Sequence, residues 1–257
     1  ASIGTVCGIG CMVGPPIGGV LYDYGQYTGM GSFFFPFFVF SAIPFIITSL
    51  LPCTVSDTRP AAQDERAASL SEVMTKSRLV TLISMGLNGA LVASLDPTLA
   101  YRLKNKPFQY SSTLVGLAFM ASSVSFSLVS IPAGYLLDNY PDNSALFKAV
   151  QGMGFMSLGL CFTALGPIQI RGSHEIFNNI PTVWAAMLLK GLGSVGCNAC
   201  YPDLVVGVPE KNERVHARIS GLWNAVYAIG WAIGPMIGGS VYQTLGFAGF
   251  ATISASM

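Results

Sequence analysis

Seven stretches of the chain, at residues 2–22, 32–51, 79–100, 112–137, 146–166, 182–205 and 219–242, are long and almost wholly apolar, and an eighth opens at 247. A bilayer core of about 30 Å takes about 20 such residues per helix, and in lipid only a helix or a closed barrel satisfies every backbone polar group. The pattern predicts an all-α, polytopic membrane protein. Composition agrees, since 52% hydrophobic against 10% charged residues leave too little polar surface for water-soluble domains in 257 residues. A formal net charge of +1 supports no general attraction to nucleic acid.

One of these helices is used twice. Gly14-Pro15-Pro16-Ile17-Gly18-Gly19-Val20-Leu21-Tyr22 returns 220 positions later as Gly234-Pro235-Met236-Ile237-Gly238-Gly239-Ser240-Val241-Tyr242, and Val6/Val226, Ile9/Ile229 and Gly10/Gly230 extend the match. Duplicated helix sets are the organisation of secondary transporters, whose repeats enclose a site near the bilayer midplane. Glycines recur every fourth residue, at 10, 14 and 18 and at 230, 234 and 238, so each copy carries a stripe that a neighbouring backbone can approach closely. Pro15 and Pro235 each remove one helical hydrogen bond and bend the rod. Such a helix suits both tight packing and the rocking of one bundle on another.

The longest polar insertion, 52–78, concentrates Asp57, Arg59, Asp64, Glu65, Arg66, Glu72, Lys76 and Arg78, and reads as a linker between two helix bundles. Ser69-Leu70-Ser71-Glu72 has the pattern of a short surface helix start. Short basic loops stay cytoplasmic. Arg59, Arg66, Lys76, Arg78, Lys148, Lys211, Arg214 and Arg218 fall on the linker side, against Arg102, Lys104, Lys106 and Arg171 opposite, which places the linker in the cytoplasm. Both ends of the sequence lie in apolar stretches, so it reads as an internal piece of a longer protein.

Enzyme chemistry finds little support. Of the six cysteines only Cys53 lies outside an apolar run, which argues against a disulfide framework, and Cys197-x-x-Cys200 lacks a second pair of metal-ligand spacing. His174 and His216 have no serine, cysteine or acid at a catalytic spacing and read as surface residues. No glycine-lysine phosphate loop is present, so no nucleotide, metal or other cofactor is expected.

The repeated glycine-proline-x-x-glycine-glycine motif resembles the signature of the major facilitator superfamily, in its fifth and eleventh helices. On that resemblance 1–51 holds the last two helices of an N-terminal bundle, 52–78 is the central cytoplasmic loop, and 79–257 is a six-helix C-terminal bundle cut in its last helix. Helices one to four would precede. Gly134-Tyr135-Leu136-Leu137-Asp138 looks like the start of the superfamily's loop between helices eight and nine, without the usual basic residues after it. Leu95-Asp96-Pro97-Thr98-Leu99, Tyr201-Pro202-Asp203 and Leu245-Gly246-Phe247 look like the vesicular amine transporters, most of all their polyamine branch. Monoamine-type members carry acids in helices ten and eleven, where this chain has Gly196-Cys197 and Asn224. The resemblance thus implies a multi-pass protein of an acidic vesicle or endomembrane that exchanges protons for organic cations, polyamines above all. A broader proton-driven drug exporter is the nearer rival. A heptahelical receptor is the more distant one, since Asp96-Pro97-Thr98-Leu99-Ala100-Tyr101 only approaches that class's NPxxY pattern.

An ionised carboxylate in hydrocarbon costs at least about 3 kcal/mol, so an acid within a span calls for a partner or a task. Asp96 is the strongest candidate, an acid that holds a cation when ionised and releases it when protonated. Asp203, near the cytoplasmic end of helix ten, is the second, for substrate access or gating. Lys190 sits deep in its span and would repel a cationic substrate unless neutralised, which suggests a pairing with Asp96. Trp223 and Tyr227, four apart, and Tyr201 offer aromatic faces to an ammonium group.

Overall fold

The computed structural model describes residues 2–54, 74–166, 179–208 and 213–257. Every described element is helical: α1 (Ser2–Gly25), α2 (Phe34–Thr54), α3 (Lys76–Lys104), α4 (Ser112–Asn139), α5 (Ser144–Leu165), α6 (Ile180–Val195), a 3₁₀ turn (Gly196–Ala199), α7 (Cys200–Val205) and α8 (Glu213–Ser256). Five stretches among them are long and apolar enough to cross a membrane: Lys76–Lys104, Ser112–Asn139, Ser144–Leu165, Ile180–Val205 and Val215–Ser256. α1 and α2 add helices of 24 and 21 residues. The all-α, membrane-spanning class expected from the sequence is the class observed.

Polar residues just outside the apolar runs start the helices. The side chains of Thr75, Ser111, Asn143 and Asn179 accept hydrogen bonds from the backbone N–H groups of Arg78, Leu114, Leu146 and Thr182, covering donors with no partner inside their helix. Lys76 and Arg78, expected in the linker, therefore belong to the first turn of α3. Arg78 donates from Nε to the Leu204 carbonyl, at 2.8 Å, and from Nη2 to that of Val206. A charged residue at a helix end finds carbonyls or water, so the apolar run understates the helix. The Ser69–Glu72 helix start and His174 lie outside the described residues.

α3 is the spine of the C-terminal group. Its Leu91, Leu95, Leu99 and Leu103, four apart, are buried among Ala118 of α4, Cys161 and Phe162 of α5, Ala186 and Met187 of α6, and Phe250 of α8. α3 runs along α8, and α6 is wedged between α4 and α5. Outward residues are apolar too: Ile131 is 75% exposed, Met236 72% and Met156 71%, a pattern tolerable only where lipid is the solvent.

One span of the sequence, and one long helix of the structure, are broken rods. The 182–205 stretch turns through 3₁₀ geometry at Gly196–Ala199, where Gly193 and Gly196 cross the backbone of Gly154 so closely that a Cβ on Gly154 would stand 2.8 Å from the Gly193 oxygen. α8 breaks at Gly246, whose φ of 69° favours glycine, and the following rod folds back so that Phe250 reaches Gly238. α1 packs on α2 and, far more extensively, on α4.

Candidate functional site

Asp96 and Lys190 meet. Lys190 Nζ forms an ion pair and hydrogen bond with Asp96 Oδ1, joining α6 to α3. The lysine side chain is 7% exposed and the aspartate 36%, so the acid is the open side of the pair. The Lys190 ammonium also lies 5.1 Å from the centre of the Phe119 ring on α4. Local structure places each partner. Pro97 leaves the Ala93 carbonyl without its helical donor beside Asp96. Hydroxyls of Ser125 and Ser157 hold the Leu188 and Leu189 carbonyls from α4 and α5, at 2.9 and 2.8 Å, and anchor the turn that carries Lys190. A buried ammonium needs such a partner, because its own desolvation is costly.

Two helical turns below Asp96, on the same face of α3, Gly89 opens room for aromatic rings. A Cβ there would stand 3.1 Å from Tyr227 and 3.3 Å from Trp231. A ladder runs on from this point. Tyr227 and Trp231 lie 5.8 Å apart, Trp223 and Tyr227 stack at 6.4 Å with an interplanar angle of 7°, and Tyr201 meets Trp223 edge-on at 6.0 Å. The Trp223 indole N–H is buried without an acceptor among the described residues. Trp231 and Phe119 escaped the sequence reading. Counting eight residues from Trp223 would have put Trp231 on the same helical face, whereas nothing in the sequence joins Phe119 to Lys190.

Asp203 lies elsewhere. It is 6% exposed and accepts hydrogen bonds from Thr81 Oγ1 of α3 and from Ser144 Oγ of α5, the latter at 2.6 Å. The geometry makes it a tie within the bundle, away from any open surface, because two hydroxyls satisfy the carboxylate. His216, read as a surface residue, has a buried Nε2 without a partner among the described residues. Asn224 is exposed and donates to the Ser220 carbonyl of its own helix. Asp138 is exposed at the end of α4, and Gly134 has open space around it.

The two glycine stripes differ in surroundings. Gly230, Gly234 and Gly238 press on the backbone of α3 at Gly86, Ala90 and Ser94, leaving no room for a side chain. In the first copy Gly10 and Gly14 have nothing near, while Gly19 abuts the backbone of α4 at Ser112 and the Pro15 carbonyl meets Gly116.

A bundle of apolar helices, broken by glycine and carrying an acid-base pair on facing helices, defines a multi-pass integral membrane protein. The profile of the Major Facilitator Superfamily matches residues 1–235, and the chain belongs to that family. This leaves no place for a heptahelical receptor or an enzyme. The MFS-type transporter SLC18B1 of Mus musculus is 26% identical over 262 residues, covering 96% of this chain and 52% of the relative. The chromaffin granule amine transporter of Rattus norvegicus is 24% identical over 241 residues, covering 93% and 42%. The synaptic vesicular amine transporter of Bos taurus is 21% identical over 247 residues, covering 95% and 44%. The chain thus spans about half the length of the curated relatives it matches.

Proposed function

We propose that the protein of which this chain forms part exchanges protons for organic cations, polyamines in the first place, moving them from the cytoplasm into an acidic vesicle by alternating access. The observation that carries this reading is the Asp96–Lys190 pair, with its half-open carboxylate and its buried ammonium. With the site empty, Lys190 neutralises Asp96. An arriving substrate ammonium competes for the same carboxylate, with Phe119 receiving the displaced lysine. Protonation of Asp96 from the acidic side removes the charge that held the substrate, and the proton leaves when the site next faces the cytoplasm. The ladder of Tyr201, Trp223, Tyr227 and Trp231 supports cation binding, since each ring attracts an ammonium by about 0.5 to 2 kcal/mol. A second ammonium of a polyamine would lie along it. The proton gradient supplies the driving force, and the partners are the substrate, protons, the bilayer and the first four helices of the same protein.

The test loads vesicles containing the full-length protein, imposes an acidic interior, and compares uptake of labelled spermine, serotonin and a flat cationic dye. Spermine uptake abolished by Asp96→Asn is the expected result. Dye uptake equal to that of spermine would turn the reading toward a broad-specificity exporter, which the aromatic ladder also suits. Uptake of none, with the gradient verified, would overturn both.

A further inference from the structure

The last turn of α1 carries an acid that the proton-exchange scheme does not use. Asp23 Oδ1 accepts the Ser112 N–H at 3.2 Å, and its Oδ2 accepts the Thr113 N–H at 2.8 Å and the Thr113 hydroxyl at 2.7 Å. Ser112 and Thr113 open α4, and their N–H groups have no acceptor within that helix. The carboxylate also faces the positive end of the α4 dipole. Ser111 already caps α4 through the Leu114 N–H, so Asp23 adds a second capping group brought by another helix.

The surroundings make this a seam between two groups of helices. α1 and α2 meet the rest of the molecule chiefly along α4. Beside Asp23 the Tyr22 ring holds the Lys104 ammonium of α3 at 4.0 Å, and one turn earlier Gly19 lies directly on the α4 backbone. All these contacts cluster at the end of the molecule opposite the C-terminus of α2 and the start of α3.

We propose that Asp23 is a permanently charged latch that closes α1 on the start of α4, and that the transport cycle must break it mechanically to open that end. The inference rests on the alternating-access reading above. Burial works to raise the Asp23 carboxyl, but the hydrogen bonds from Thr113 and Ser112 outweigh it and hold the group below its ordinary value of 3.8. A depressed value means that the latch is at full strength above the ordinary range and is lost only as pH falls below it. The acid interior of a vesicle lies above that window, so luminal protons leave the latch closed. The other groups facing it do not change this. Lys104 favours the ionised form, Tyr22 and Tyr24 flank it on α1, and α2 carries no acid, histidine, lysine, arginine or tyrosine.

Accessibility of the seam tests the proposal independently of transport. Val115, 7% exposed, lines the groove between α4 and α1 together with Gly18, Gly19 and Tyr22. In the full-length protein, freed of reactive native cysteines and reconstituted in liposomes, Val115→Cys is labelled by a membrane-impermeant maleimide from the luminal face. The rate is divided by that of an exposed Lys106→Cys. Asp23→Ala should raise the ratio about tenfold, as expected for loss of charge-assisted hydrogen bonds. Thr113→Val, which keeps the acid and one backbone bond to each oxygen, should raise it less, and Asp23→Glu should lower it again. Between pH 7 and pH 5.5 the ratio of the parent protein should stay constant. An unchanged ratio in both Asp23→Ala and Thr113→Val overturns the latch, and a parent ratio that climbs in acid overturns its permanence. Failure of amine uptake with these labelling results intact would sink the transport reading alone.

Discussion

The two copies of the glycine-proline helix keep the same glycines and use different faces of them. In α8 the stripe Gly230, Gly234 and Gly238 is pressed against α3, while Gly239 has nothing within 4 Å of where a side chain would begin. In α1 Gly10 and Gly14 stand open, and it is Gly19, the repeat-mate of Gly239, that is pressed against α4. Each copy displays an occupied face that the other lacks. One face serves a seam inside a bundle, and the other serves a seam between helix groups. A duplicated motif thus supplies two different contacts, one on α3 and one on α4, from a single pattern.

The helices around α3 are also held by polar ties, and these give the largest expected effects. Asp96→Asn leaves the Lys190 ammonium buried beside an uncharged partner, and should lower the stability of the purified full-length protein by about 3 kcal/mol in detergent unfolding. Asp96→Asn combined with Lys190→Met should recover most of that loss. If the double variant is no more stable than the single one, the pair is not what ties α6 to α3.

Next come the glycines. Gly234→Leu forces a side chain into the backbone of Ala90 and should cost about 2 kcal/mol by the same measurement. Gly14→Leu in the full-length protein should cost as much, on the proposal that the first four helices bring a mate equivalent to α3. A neutral Gly14→Leu would break the equivalence of the two copies. Ser144→Ala removes one of the two hydroxyls on the buried Asp203 and should cost about 1 kcal/mol, with Thr81→Val alike. The smallest effect belongs to Gly239→Leu in the isolated 1–257 chain, which should leave the unfolding midpoint unchanged. A loss there would show that the outer face of α8 is already occupied.

Helix number, approximate bounds and the family were legible because lipid imposes a length and an apolar content on every crossing segment. Asp96 and Lys190 were legible for a related reason: charge inside a span is rare enough to demand a partner. The burial of Asp203 was not legible because its two hydroxyl partners, Thr81 and Ser144, come from distant helices and leave no mark near it in the sequence. Asp23 went unnoticed since an acid at the end of a span looks like ordinary headgroup decoration until α4 is seen beginning beside it. The break at Gly196–Ala199 escaped as well, because glycine in a membrane helix signals close packing as readily as a change of pitch.

The corner at Gly246 has a bearing on biosynthesis. Phe250, delivered by the rod beyond the corner, fills the space next to Ser94 and Gly238 on the α3–α8 seam. A nascent chain that has released only the glycine helix therefore holds an unfinished joint, open to whatever chaperone or lipid reaches it first. Completion of the joint waits for the ribosome to pass the corner.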